Sequence, residues 1–215
     1  KGGNVSVKWD GAPAVFAGTD PTDGKFFVAK KGIFNKNPMV YKTAKEVDAD
    51  TKGDLAKKLK LALKHFPELG IQGVIQGDFV FGPGDVKTQK IKGNSYVTFH
   101  PNTIVYAVPT GTPAAKEITS AKIGVVWHTE YKGSSFETMR ASYNYDASRL
   151  KKSRNVWSQD AQLSDATQAT MTADETKEVN DQLSLAGRTF NKIAGSALRE
   201  LENNDTLSAH IETHG

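Results

Sequence analysis

The stretch Gly73-Val74-Ile75-Gln76-Gly77-Asp78-Phe79-Val80-Phe81 is the part of the chain from which the fold is best worked out. Its β-branched and aromatic residues are typical of a strand, and Gly82-Pro83-Gly84-Asp85 directly after it is typical of a turn. Strand signals also cover residues 95–99, 103–108 and 122–128. The sequence therefore predicts a β-rich core around this stretch.

The first third of the chain extends the β-rich pattern towards the N-terminus. Val5 and Val7 alternate with polar residues, as the side chains of a half-buried strand do. Residues 13–30 are predicted to form a hairpin, because Pro21-Thr22-Asp23-Gly24 has the residue types that tight turns require.

A helix is predicted between this hairpin and the stretch 73–81. Thr51 followed by Asp54 resembles a capping box, and Gly70 is placed to end the helix. The predicted buried face carries apolar side chains at helical spacing, namely Leu55, Leu59, Leu63 and Phe66. Four lysines fall largely off that face and are expected on the outer surface: Lys57, Lys58, Lys60 and Lys64.

The last third of the chain is polar and less periodic. A short helix is expected near residues 147–154, and a longer one begins at Thr172 with a second capping box. The tail, residues 203–215, is polar. We therefore predict an α+β fold with an antiparallel-rich core over residues 1–134 and a mostly helical portion with a polar tail over residues 135–215.

Composition excludes several kinds of site. The chain has 215 residues and no cysteine, which rules out disulfides, thiolate metal sites and cysteine nucleophiles. It contains no Walker, G-x-S-x-G or H-E-x-x-H motif. No apolar run approaches the roughly 20 residues that a membrane-spanning helix needs. Because the chain begins with Lys1 rather than methionine, we expect it to be a fragment or a processed product.

The charge is unevenly distributed along the chain. Residues 1–100 hold 16 lysines, no arginine and 10 acidic residues, a net charge of +6. Residues 101–215 hold 12 basic and 14 acidic residues, a net charge of −2. The lysine-rich half favours contact with a polyanion such as a nucleotide or a nucleic-acid backbone, and a lysine-decorated outer surface is the alternative explanation.

Four segments carry the residues that suggest chemistry. In the first, Val5-Ser6-Val7-Lys8-Trp9-Asp10-Gly11, a lysine ends a strand and x-Asp-Gly follows. Val28-Ala29-Lys30-Lys31-Gly32 comes next, and Gln76-Gly77-Asp78-Phe79-Val80-Phe81-Gly82 follows it. The last is Ile123-Gly124-Val125-Val126. Their order resembles that of the motifs of covalent nucleotidyltransferases, the superfamily of ATP-dependent DNA and RNA ligases and RNA capping enzymes.

The resemblance implies a reaction and a set of site residues. Lys8 would attack ATP and carry AMP, which then passes to a nucleic-acid end. The expected nucleotide-binding residues are Val7, Trp9, Asp10, Gly11, Lys30, Lys31, Asp78 and Phe99. Asp78 and Glu130 are expected to bind Mg²⁺ or Mn²⁺, because carboxylate oxygens suit hard cations. Lys151 and Lys152 are expected phosphate contacts.

The sequence departs from the superfamily at specific positions. Ile123 stands where the fourth motif has a metal-binding glutamate, and Pro13 stands where a basic residue is common. The fifth motif, two lysines separated by one residue, is not clearly present. These departures leave two alternatives open: an inactive ligase-like nucleic-acid-binding or phage structural protein, and an unrelated β-rich domain with a chance K-x-D-G. His65 and His100 are interpreted as structural histidines. His128 follows the strand Val125-Val126-Trp127 and could reach a site, with Glu130 and Asp78, in place of the missing glutamate, and a structural role is the alternative for it.

The expected partners follow from the same resemblance. They are ATP and the ends of a nucleic acid, RNA rather than DNA, because RNA ligases append helices more often than β-barrels. No membrane association is expected. We expect a cytoplasmic protein, and since RNA ligases of this kind are common in bacteriophages, one that a phage encodes and that acts in its host cell.

Overall fold

A computed structural model describes residues 12–91, 93–101, 106–143 and 145–161. The described residues form two compact units, one containing residues 83–120 together with Ala12 and the other containing residues 13–82 and 121–161. In chain order the elements are β1 (Ala14–Thr19), β2 (Phe26–Ala29), α1 (Ala44–Asp50), α2 (Gly53–His65), β3 (Val74–Phe81), β4 (Lys87–Ile91), β5 (Asn94–Phe99), β6 (Tyr106–Pro109), α3 (Pro113–Ser120), β7 (Ile123–Lys132), β8 (Arg140–Ser142) and β9 (Val156–Asp160). Short 3-10 turns cover Phe66–Leu69 and Ala147–Arg149.

The larger unit, residues 13–82 and 121–161, is built on a six-stranded sheet. Four strands run in the order β2-β1-β3-β7, and β8 and β9 both pair with β7. Every described pairing is antiparallel except that of β7 with β9. The mixed, mostly antiparallel architecture agrees with the predicted α+β class. The predicted helical C-terminal portion lies largely outside the described residues, so the division near residue 134 stays a prediction.

The predicted hairpin of residues 13–30 is confirmed by the pairing of β1 with β2. Asp20 organises its turn, since the Thr22 amide and hydroxyl donate to the Asp20 carboxylate at 2.9 and 2.6 Å. Lys42 Nζ lies 2.8 Å from Asp20 and 2.6 Å from Asp23. The hydrogen bonds from Lys42 and Thr22 lower the pKa of Asp20, although burial opposes them.

The predicted capping box at Thr51 is wrong. Thr51 ends α1, a helix that the sequence analysis missed, and its hydroxyl donates to the Val47 carbonyl at 2.8 Å. The capping box lies at the start of α1, where the Thr43 side chain accepts from the Glu46 amide and Glu46 accepts from the Thr43 amide. The N-cap of α2 is Lys52, which makes no capping bond through its side chain.

The apolar face of α2 packs as predicted. Leu59 and Phe66 are fully buried, and Leu55 and Leu63 pack against the same cluster. Gly70 ends the following turn in the left-handed conformation, at φ 65°. The placement of Lys58 on the outer surface is wrong: this residue is 8% exposed, because its aliphatic stem lies against Gly82 while its ammonium pairs with Asp54 at 2.8 Å.

The central sheet is covered on both faces. On the helix-side face, strand residues pack against α1 and α2: Val15, Ala17, Val28, Ile75, Phe79, Ile123, Val125 and Trp127. On the loop-side face, strand residues pack against the segments 31–40 and 133–139: Phe16, Phe27, Ala29 and Val74, with Ile33 and Phe136. The alternation of side chains along each strand separates the two clusters.

The short helix predicted near residues 147–154 is wrong. Only a 3-10 turn forms, at Ala147–Arg149, and the chain then enters β9. Trp157 and Val156 are buried, and β9 pairs parallel with residues 123–127 of β7. Pairing with β7 and burial of apolar side chains therefore outweigh the polar composition of this region. The helix predicted from Thr172 lies outside the described residues.

The smaller unit contains the antiparallel sheet β4-β5-β6 and the helix α3. β5 confirms the strand predicted at residues 95–99, and the described part of the strand predicted at 103–108 is β6. β4 and α3 were not predicted. In the part of the chain that the structure describes, no helix has both the length and the apolar character needed to cross a membrane.

Candidate functional site

Asp78 lies in the middle of the central sheet, on the loop-side face. In the sheet register Ala14 of β1 is on one side of it and Val126 of β7 is on the other. His128 Nε2 is 3.5 Å from the Asp78 carboxylate, and the two side chains are 28% and 14% exposed. This mostly buried pair brings a carboxylate oxygen and an imidazole ring together on the loop-side face.

A β-bulge in β7 places His128 next to Asp78. Gln76 is paired with Thr129 and Gly77 with Trp127, so His128 is the extra residue between them. A bulge bends the strand and redirects the side chain of the inserted residue. The orientation of the ring is fixed further by Thr129, whose hydroxyl lies 2.6 Å from His128 Nδ1.

Gly77 allows β3 and β7 to approach closely beside Asp78. A methyl group at residue 77 would lie 2.3 Å from the Val126 carbonyl oxygen and 2.8 Å from the Trp127 ring. Any side chain larger than hydrogen would therefore separate the strands that hold Asp78 and His128. Gly77 is therefore required for the close packing of β3 against β7.

An aromatic cluster continues the loop-side face beyond Asp78. Gln76 is two residues before Asp78 on β3, and its side-chain oxygen accepts from the Tyr131 hydroxyl at 2.6 Å. The Tyr131 and Phe34 ring centroids are 4.5 Å apart, and both rings lie 5.7 Å from Phe16. Burial raises the pKa of Tyr131, and the neighbouring Tyr143 adds to the effect.

The structure places Lys30 with α1 rather than with Asp78. Lys30 Nζ is 3.1 Å from Asp50, the last residue of α1, and Tyr41 donates its hydroxyl to the same carboxylate. The bond from Tyr41, followed by that from Lys30, lowers the pKa of Asp50. Lys31, the next residue, is exposed.

Asp78 and Glu130 lie on opposite faces of the sheet. Glu130 is paired with Ile75 of the helix-side cluster, and it lies 3.3 Å from Lys132 and 3.4 Å from Arg149. The predicted metal-binding pair is therefore not brought together. Among the residues that the structure describes, no three His, Asp or Glu side chains converge, so these donors by themselves do not form a Mg²⁺ site.

Two other predicted residues, Phe99 and Lys151, have structural contacts. Phe99, in the smaller unit, is 2% exposed, and its ring is stacked on Tyr106 at 5.2 Å. Lys151 and Lys152 are exposed; the Lys151 amide donates to the Leu69 carbonyl at 2.9 Å. Val7, Lys8, Trp9, Asp10 and Gly11 lie outside the described residues.

The pairing of His128 with Asp78 was missed in the sequence. Alternation along Val125-Val126-Trp127 already places His128 on the same face as Val126. The missing information was that Val126 is opposite Asp78, which depends on how two strands distant in sequence align. Nothing in the sequence links Phe34 to Tyr131, since that contact joins a loop to a strand far along the chain.

Comparison with known proteins gives one result. The model of a family of unknown function, DUF6267, matches residues 1–214. No curated protein and no solved structure matches the chain.

Proposed function

The chain belongs to DUF6267, a family of unknown function, and we propose that it is an ATP-dependent nucleotidyltransferase of the polynucleotide-ligase type. Lys8 is the proposed nucleophile and lysyl-AMP the proposed intermediate. An RNA end is favoured over a DNA end as the acceptor, in an intracellular setting that includes a phage-infected cell. A single feature of the sheet carries the proposal, and the covalent geometry of the chain supports it.

That feature is the pairing of two motif-like segments in one sheet, beside the strand that follows the K-x-D-G segment along the chain. β1 starts three residues after Gly11 and pairs with β3, which carries Gln76-Gly77-Asp78. On its other side β3 pairs with β7, which carries Gly124-Val125-Val126. Segments spread over about half of the sequence thus become neighbours around Asp78. Their meeting is what a shared nucleotide site requires.

Covalent geometry keeps Lys8 within reach of this region. The Phe79 amide donates to the Pro13 carbonyl at 2.9 Å, so Pro13 lies next to β3. Lys8 precedes Pro13 by five residues, and an extended chain spans at most roughly 18 Å over that length. Asp10 is closer still along the chain, three residues before Pro13.

The proposed first step is nucleophilic substitution at phosphorus. The neutral amine of Lys8 forms a bond to the α-phosphorus of ATP, the bond to the bridging oxygen breaks, and pyrophosphate leaves with its electron pair. The amine loses a proton to solvent in the process. A lysine amine reacts in its neutral form, which desolvation and nearby positive charge favour.

We propose that Asp78 binds the nucleotide. Its carboxylate, 14% exposed, would accept a hydrogen bond from a ribose hydroxyl, and the neighbouring His128 would restrict its orientation. In the second step AMP passes to a 5′-phosphate, and a 3′-hydroxyl then displaces it to join the strand. No step is assigned to a metal ion, because the described donors do not complete a site for one.

Labelling with α-³²P-ATP tests the proposal. The protein is incubated with Mg²⁺ or Mn²⁺ and then separated under denaturing conditions, where only a covalent adduct keeps the label. We expect a labelled band that Lys8→Ala abolishes and Lys64→Ala leaves intact, since Lys64 is an exposed residue of α2. Asp78→Asn is expected to reduce the label while leaving the melting temperature close to that of the wild type.

A second candidate, an inactive ligase-like nucleic-acid-binding protein, is favoured by Ile123. This residue stands where the fourth motif has glutamate, and it is fully buried in the helix-side cluster, on the face away from Asp78. Lys30, paired with Asp50, also points away from the loop-side face. Absence of label with either metal, in a protein that still binds nucleic acid, would support this candidate over the enzyme.

A further inference from the structure

We infer that the loop-side face of the larger unit binds single-stranded nucleic acid by stacking bases on Phe34, Tyr131 and Tyr143. These three residues are called the aromatic platform below. The inference rests on the proposed function, because it takes a polynucleotide as the partner. It adds which surface of the protein binds the polynucleotide and that the bound form is single-stranded. It does not require the adenylation chemistry to be retained.

Two rings of the platform are exposed and the third, Tyr131, is partly buried. Tyr143 is 73% exposed and Phe34 is 39% exposed, and both are among the large apolar side chains that the protein leaves in contact with solvent. Tyr131 lies between them on β7, with its hydroxyl held by Gln76. Tyr143 follows β8 directly, two residues after Ala141, which is paired with Tyr131.

The contacts between the rings keep their faces in place. The Phe34 and Tyr131 rings are inclined by 41°, and the edge of Phe34 meets Phe16 at 81°. Phe16 is 5% exposed and belongs to the core. Because Phe34 and Tyr131 are already packed on their core side, a flat ligand that stacks on them requires little rearrangement of these two rings.

The charge around the platform is complementary to a phosphate backbone. Residues 24–45, which include Phe34, contain six lysines and no acidic residue, and two of the six, Lys30 and Lys42, pair with carboxylates outside this range. Lys31 and Lys36 flank Phe34, both are exposed, and neither forms an ion pair within the described part of the chain.

Aromatic faces combined with lysines select the single-stranded form. In a duplex the bases are stacked on one another, and their faces are closed to a protein ring. In a single strand every base has a free face, and stacking on an aromatic side chain is tolerant of sequence. An acidic peptide would match the lysines, yet it would leave the exposed rings without a partner.

The platform also has a defined relation to Asp78. Gln76, which binds the Tyr131 hydroxyl, is two residues from Asp78 on the same face of β3. A strand stacked on the rings would therefore approach the Asp78–His128 pair along the loop-side face. This is the direction from which a nucleic-acid end would have to come.

Fluorescence anisotropy with a labelled single-stranded RNA of about 12 nucleotides tests the inference. Tyr143→Ala is expected to weaken binding about 5- to 150-fold, the effect of losing one stacked base. Tyr143→Phe keeps the ring and is expected to bind within about twofold of the wild type. Since Tyr143 is mostly exposed, neither change is expected to alter the fold.

Met39→Ala is the matched control, because Met39 is 53% exposed and apolar but has no ring. Binding that Met39→Ala weakens as much as Tyr143→Ala does, or that neither Phe34→Ala nor Tyr143→Ala weakens, would overturn the inference. So would equal affinity for a duplex, or no binding by the wild type. An acidic peptide that competes as well as RNA would also overturn it.

Failure of the inference can be told apart from failure of the proposed function. If Lys8 is labelled but Tyr143→Ala does not weaken RNA binding, the aromatic platform is rejected and the proposed enzyme activity is supported. If Tyr143→Ala weakens RNA binding but the protein is never labelled, the platform is supported and the proposed enzyme activity is rejected.

Discussion

Replacing Gly77 by alanine tests the arrangement that brings Asp78 and His128 together. The added methyl group would lie 2.3 Å from the Val126 carbonyl oxygen and 3.0 Å from its carbon. Both atoms are backbone, so relief requires β3 and β7 to separate, and overpacking of this kind costs about 1–3 kcal/mol. Alanine also restricts the unfolded chain, which offsets about 0.4–1 kcal/mol. The difference of the two midpoints is a net loss of about 1.3 kcal/mol, which corresponds to a melting temperature about 3–5 °C lower in a chain of this size.

The assay is thermal unfolding followed by circular dichroism, with Gly84→Ala as the control. Gly84 has φ 81° and nothing within 4 Å of the position of a side chain. Its replacement therefore strains only one backbone conformation, at about 1 kcal/mol. A Gly77→Ala protein that melts within about 1 °C of the wild type would refute the register of β3 against β7. The same result would refute the placement of His128 beside Asp78, because that placement depends on the register.

Three further predictions concern stability. Thr43→Ala should destabilise the protein by about 0.5–2 kcal/mol in urea unfolding, because the capping box of α1 is lost. Lys52→Ala, at an N-cap without a side-chain bond, should change the free energy of unfolding by no more than about 0.5 kcal/mol. Equal losses in the two variants would contradict the assignment of the capping box to Thr43. Ser158→Ala should cost about 1–3 kcal/mol, since it removes the acceptor 2.9 Å from the indole nitrogen of fully buried Trp127, whereas Ser134→Ala should be neutral. Hydrogen bonds from His65 and then Ser153 lower the pKa of Glu68 from 4.5 to about 2, so its stabilising contribution is present above pH 4.5 and is lost as the pH falls towards 2. Urea titrations across that interval should show a shallower loss for Glu68→Gln than for the wild type, and parallel curves would exclude this role.

Local sequence patterns correctly predicted the turns, helix faces and strands whose sequence signal is contained in one short segment. The turn around Asp23-Gly24, the apolar face of α2 and the strand through Asp78 are examples. Thr51 shows where such patterns fail: the same residue type begins one helix and ends another, and only the hydrogen bond from its hydroxyl to Val47 distinguishes the two. β9 was missed because its pairing with β7 joins segments about 30 residues apart, and the polar residues 158–160 conceal the buried Trp157.

Much the same limit applies to the candidate site. Asp78 was identified from the sequence around it, and the structure places it on an accessible face. Its neighbour His128 depends on strand register, and the separation of Asp78 from Glu130 depends on which face each residue occupies. A one-residue bulge in β7 shifts the alternation of its side chains between the two faces of the sheet. No local sequence pattern predicted that bulge. Lys30 was expected at phosphate, but a carboxylate from α1, a helix not foreseen, lies next to it.

The way β7 ends the central sheet has a consequence for self-association. Its outer side is divided between β9, which covers residues 123–127, and β8, which covers residues 130–132. Each of these strands is at most five residues long, and they run in opposite directions. The outer edges of β8 and β9 therefore offer a second molecule only short rows of amide and carbonyl groups, on strands that run in opposite directions. These rows are too short to extend the sheet from one copy to the next.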